Sequence, residues 1–207
     1  MNSNYKGDED MDFKELDREI EFIVELDKMK SIFRQTSLIN GTRRENDAEH
    51  SWHLALMTMI LSEYADNKID EFKVIKMVVI HDLVEIYAGD TFCYDEKGNM
   101  DKKERELKAA EKIFGMIPGK KGEELRSLWE EFEAMKTDEA LFAASMDRLQ
   151  PFIMNYNSSG GTWKKFNISK KQILNRIAPL KRSSKVLNDY AERLIEDSFK
   201  KGYITKE

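Results

Sequence analysis

The sequence predicts an all-α fold, a single compact helical bundle. Apolar residues recur at helical spacings along most of the chain, and no long stretch alternates as a strand does. Only three prolines and ten glycines interrupt 207 residues. No internal repeat and no shift in composition marks a second domain.

Residues 1–10 are polar and acidic and read as a disordered lead, with the bundle over 11–207. Phe13, Leu16, Ile20, Ile23, Val24 and Met29 recur at spacings of one to five, so 12–34 reads as an amphipathic helix. QTSLINGTRREND follows as a polar loop. A second helix begins near Asp47, read as its N-cap, and runs to about Ala65. A third runs from about Asp70 to Tyr87, where Gly89 stops it. These two are apolar on nearly all faces, which places them at the centre. Further helices read near 101–115, 120–135, 138–156, 169–177 and 184–200, with a flexible NSSGGTW segment between the third and fourth of these.

Composition narrows the function classes. A net charge of −5 leaves no electrostatic footprint for duplex nucleic acid. A phosphate ligand would therefore need a local cation, an arginine cluster or a metal. No apolar run approaches the roughly 20 residues of a bilayer span. The N-terminus lacks the basic start and apolar middle of a signal peptide. The single cysteine, Cys93, fits a reducing cytoplasm.

The chemistry concentrates in KMVVIHDLVEIYAGD, Lys76 to Asp90, where His81, Asp82, Glu85 and Asp90 interrupt an apolar helix. Buried acids need a partner, a proton or a metal. The only histidines are His50, His53 and His81, all on the two most apolar helices. His81 and Asp82 are about 100 degrees apart on a helix, and Glu85 follows one turn on. Imidazole with carboxylate suits a divalent transition metal. Asp147, among Phe142, Ala143, Ala144, Met146 and Phe152, also needs a partner. It reads either as a fourth ligand or as the partner of Arg148 or a distant arginine.

Together, RRENDAEHSWH, VIHDLVEIYAGDTF and SMDRLQP resemble the HD-domain metal-dependent phosphohydrolases, and within them the compact 5′-deoxynucleotidase-like branch. The resemblance covers about Lys30 to Tyr156, which becomes the metal-site core (about 30–156), followed by C-terminal helices (165–201). It implies a helical bundle of the HD-domain type. It implies His50, His81, Asp82 and Asp147 as ligands of one divalent metal (Mn, Co, Fe, Ni or Zn). It also implies site roles for Glu85, beside the attacking water, and Asp90, as proton donor or sugar contact. His53 reads as a core residue behind the ligands. Arg34, Arg43 and Arg44 are candidates for the phosphate. The substrate implied is a (deoxy)nucleoside 5′-monophosphate, hydrolysed to release phosphate. One departure stands out: the branch places tryptophan after the arginine that precedes the first histidine, and here Gln35 follows Arg34. The resemblance and the amphipathic C-terminal helices imply a homodimer. An HD enzyme for cyclic nucleotides, guanosine tetraphosphate or triphosphates, and a non-catalytic metal-containing helical binding protein, are the alternatives.

Overall fold

A computed structural model describes residues 13–206. The expected lead at residues 1–10 lies outside them. The elements, in order, are α1 (Lys14–Leu26), β1 (Phe33–Ser37), β2 (Arg44–Asn46), α2 (Asp47–Leu61), α3 (Glu71–Ile80), α4 (Glu85–Ala88), α5 (Lys102–Phe114), α6 (Lys120–Ala134), α7 (Asp138–Asn157), α8 (Gly161–Lys165), α9 (Lys170–Arg176), α10 (Leu180–Ser183) and α11 (Lys185–Lys200). Helices dominate, as the periodicity predicts. The expected polar loop after residue 34 is instead an antiparallel hairpin, in which Phe33 pairs with Asn46 and Ser37 with Arg44. Its polar, barely alternating residues hide it from a periodicity reading.

The first helix also departs from expectation. It ends at Leu26, continues as a 3-10 turn over Asp27–Ser31, and gives way to β1. Phe22 and Met29 are buried, while Phe13, Leu16, Ile20, Ile23 and Val24 stay exposed. Likewise α2 buries Leu54 and Met57 but leaves Trp52, Met59 and Ile60 outside, with Trp52 64% exposed. It is not apolar all round because it is central. It carries an inner face and an outer apolar stripe. Its N-cap is Asn46, one residue earlier than expected. The Asn46 side chain accepts from the Glu49 N–H, and the Glu49 side chain accepts from the Asn46 N–H, closing a capping box. The NSSGGTW segment is also more ordered than expected, since Gly161–Lys165 forms α8.

Two buried clusters form the interior. One joins Leu54 of α2, Val74, Met77 and Val78 of α3 and much of α7 to the C-terminal helices. The other joins Phe22, Ile113, Phe114 and Trp129 to Ile80, Leu83 and Val84. The stretch 74–84 therefore passes from one core to the other, and His81 and Asp82 fall at the seam. The predicted 70–87 helix is broken there. After Ile80 the chain winds with i→i+3 bonds, Leu83 N–H to Ile80 O and Glu85 N–H to Asp82 O, before α4 resumes. Gly89 ends α4 at φ 74, ψ 148, a conformation that a Cβ makes costly.

Leu54 is fully buried between α3 and α7. Leu54→Ala should cost roughly 2–5 kcal/mol, and Asn46→Ala about 1 kcal/mol. Urea unfolding midpoints will check both.

Candidate metal centre

The first ligand candidate rides on the second turn of α2. His50 is fully buried, and its Nδ1 lies 3.1 Å from Gln150 Oε1. The Gln150 amide is oriented by its other end, where Nε2 donates to Glu45 Oε1 at 2.6 Å and to His53 Nδ1 at 3.2 Å. Gln150 must then present its carbonyl oxygen to His50, so His50 Nδ1 carries the proton and Nε2 keeps its lone pair. His81 is oriented by a shorter route. Its Nδ1 donates to Val78 O at 2.9 Å, one turn back on α3. Its Nε2 is buried without a hydrogen-bond partner.

Both free nitrogens face carboxylates. His50 Nε2 lies 3.0 Å from Asp147 Oδ1 and 3.9 Å from Asp82 Oδ2. His81 Nε2 lies 3.1 Å from Asp82 Oδ1 and 3.7 Å from Asp147 Oδ1. Ligands about 2.1 Å from one ion stand roughly 3–3.5 Å from each other; the 3.0 and 3.1 Å contacts match this, and the 3.7 and 3.9 Å ones are slightly longer. Donor atoms of His50, His81 and Asp82 also lie within 4.8 Å of one another. The two nitrogens and two carboxylates are a donor set for a transition metal rather than for calcium.

The electrostatics agree. Burial would lower the His81 pKa, but the Asp82 and Asp147 carboxylates outweigh it and raise it to about 10. A proton there serves as the positive charge that these acids demand. His50, by contrast, is lowered to about 4 by burial and by the Arg34 charge. Burial opposes ionisation of Asp82 and Asp147. The cations around them prevail, His81 and Arg34 at Asp82 and Arg148 first at Asp147, and hold both below the usual carboxylate range.

A second acidic group sits beside the first. Asp47, Asp82 and Glu85 bring oxygens within 4.8 Å of one another. Asp47 Oδ2 and Glu85 Oε2 are buried without hydrogen-bond partners. Burial, then the Asp82 charge, raises Asp47 to about 7 and pushes Glu85 well above its ordinary value. Arg34 answers this density: its guanidinium lies 2.6 Å from Asp82, 3.4 Å from Asp47 and 3.9 Å from Asp147.

Asp82, Glu85, Asp147 and Arg34 line a cleft enclosing about 890 Å³ of empty space, open solvent at its mouth included, with His50, His81 and Asp47 buried behind them. Asp90 lines it, and burial raises the Asp90 pKa. Of the three arginines expected near phosphate, only Arg34 lines the cleft. Arg43 is exposed and donates to Glu49 Oε2 at 2.8 Å, and Arg44 is exposed over the Phe33 ring. The cleft draws its other cations from Lys102, Arg148 and Arg176. Sequence reasoning took Asp47 only as a cap and passed over Glu45, Gln150, Lys102 and Arg176. The signal for Gln150 was its place one turn after Asp147. Nothing local marked Arg176.

The sequence pattern that defines the HD domain family matches residues 26–187. The 5′-deoxynucleotidase HDDC2 of Dictyostelium discoideum is 32% identical over 143 residues, 66% of this chain and 75% of that protein. The human 5′-deoxynucleotidase HDDC2 is 28% identical over 111 residues, about half of either chain (54% and 53%). The crystal structure of a predicted metal-dependent phosphohydrolase from Magnetospirillum magnetotacticum superposes with a TM-score of 0.88. It has 44% identity and covers 92% of this chain and 96% of that one.

His81→Ala and Asp82→Ala should each lose bound metal after loading with Mn or Co and desalting. Elemental analysis against the unaltered protein checks this, and full metal content in Asp82→Ala would contradict the assignment.

Proposed function

Because the chain belongs to the HD domain family, we propose that it is a metal-dependent phosphohydrolase that releases phosphate from a (deoxy)nucleoside 5′-monophosphate. The observation that carries this reading is the convergence of two buried imidazoles on two carboxylates, Asp82 and Asp147, that line an open cleft, with a third carboxyl, Glu85, beside them. The names of the relatives support the substrate class.

In this reading His50, His81, Asp82 and Asp147 hold one divalent cation. When bound, it supplies a Lewis acid that acidifies water and offsets phosphate charge. Glu85 orients the attacking water and takes its proton, a role suited to a carboxyl whose pKa burial and the Asp82 charge push well above its ordinary value. Asp90, also raised, gives a proton to the leaving oxygen or contacts the sugar. Arg34 holds the acids in register and meets the phosphate at the cleft. Lys102 lies on the same wall. Arg34 and Gln35 line the cleft where the resembling branch places an arginine-tryptophan pair. A polar pair there leaves the deoxy or ribo choice to the substrate screen.

We read the protein as a cytoplasmic homodimer. The exposed stripe Trp52, Leu56, Met59 and Ile60 on α2, and that of Phe13, Leu16, Ile20, Ile23 and Val24 at α1, support self-association. No helix among the described residues is long and apolar enough to cross a membrane.

A screen of 5′-mononucleotides with Mn and Co, deoxy and ribo forms side by side, should release phosphate. Glu85→Gln should keep its metal and lose roughly 10²–10⁴ in kcat. No release from any mononucleotide, with metal bound, would overturn the reading. Light scattering should give twice the chain mass, falling for Trp52→Glu with Ile60→Glu.

A further inference from the structure

Two arginines in the cleft exceed what the metal ligands require. Arg148 follows Asp147 on α7, and Arg176 ends α9, from a different part of the chain. Arg148 donates from one terminal nitrogen to Asp147 Oδ2 at 2.7 Å and to Ala144 O at 3.3 Å. Arg176 donates to the same Oδ2 at 3.5 Å. Two cations thus share one carboxylate oxygen. The other oxygen of Asp147 faces His50, and a third guanidinium, Arg34, lies 3.9 Å from it. Positive charge is in excess at this end of the cleft.

Besides Asp147, the Glu133 carboxylate also acts on Arg148. Cys93 and Tyr94 line the same wall, and burial pushes both pKa values up, so both stay neutral near pH 7. Holding Asp147 in place needs one arginine. A second beside it, at a cost in repulsion, has to answer to something else.

Most of their donors are also unengaged. A guanidinium offers five N–H groups. Protein acceptors engage a single nitrogen of each. None of the remaining nitrogens is among the buried polar atoms lacking a partner. Both side chains line the cleft and are 14% and 31% exposed. Arg34 is less available, with its guanidinium enclosed by Asp82, Asp47, Glu45 and Asp147.

We propose that Arg148 and Arg176 form an anion subsite that grips the non-bridging oxygens of the substrate phosphate, next to the ligand Asp147. The planar fork of each guanidinium matches a tetrahedral oxyanion, and two forks from α7 and α9 hold it from two directions. This deepens the function proposed above and rests on it. It adds to Arg34 a phosphate contact from the C-terminal half of the chain.

The test uses metal-loaded full-length protein, with inorganic phosphate titrated by calorimetry and the product nucleoside used as a competing ligand during turnover. Arg176→Gln should weaken phosphate binding roughly tenfold or more and raise the nucleotide KM by a similar factor. Metal content and nucleoside inhibition should stay unchanged. Arg148→Lys keeps the charge but loses the fork, and should fall between the two. If Arg176→Gln folds poorly, Arg148→Lys decides. Unchanged phosphate affinity and KM in the folded variants would overturn the subsite. If the unaltered protein hydrolyses no mononucleotide, yet phosphate binding still falls in the variants, the subsite stands and the substrate assignment fails.

Discussion

Carboxylate charge removed from water is the constraint around which this structure is arranged. Glu45, Asp47, Asp82, Glu85 and Asp147 are buried, and Asp90 lines the same cleft. Arg34 is enclosed by four of them. One guanidinium cannot match that density in a poorly solvated site, so the protein alone answers with protons. His81 is raised, Asp47 is raised to about 7, and Glu85 is pushed well above its ordinary value. A divalent cation among the two imidazoles, Asp82 and Asp147 removes the same repulsion and lets the acids ionise. The buried acids thus make sense as a metal site and are costly as anything else.

The remainder of the fold serves to keep those groups from relaxing away. The 74–84 stretch is anchored in one core by Val74, Met77 and Val78 and in the other by Ile80, Leu83 and Val84. His81 and Asp82 cannot swing outward without unseating one of them. The tightened winding at the seam sets Glu85 one turn beyond Asp82. Behind the ligands, Glu45, Gln150 and His53 fix the His50 tautomer through a chain of polar contacts. Rigid support of this kind is what a site needs if its donors are to be in place before the ion arrives.

Much of this was legible in the sequence, for physical reasons. Helical periodicity over α5, α6, α7 and α11 is strong, and those elements stand close to where it places them. The histidines and acids stood out because charge in an apolar run is expensive, and the structure brings His50 and His81 against Asp82 and Asp147, with Glu85 nearby. Less legible was whatever depends on distant chain. The β1–β2 hairpin is polar and short, so no period marks it. The outer apolar stripes of α1 and α2 look the same in sequence as core faces. Arg176 lies 29 residues beyond Asp147, and only the packing of α9 against the cleft brings it within 3.5 Å. Arg43 sits near the first histidine in sequence, yet a surface pair with Glu49 holds it outside the cleft.

The central claim is that a divalent cation compensates the buried acids at the seam between the two cores. The most direct measurement is an anomalous difference map from crystals of the protein grown with Mn. A single strong peak among His50 Nε2, His81 Nε2 and the carboxylates of Asp82 and Asp147 is the predicted result. Saturating Mn with no peak at that position, or a peak held by other residues alone, would contradict it.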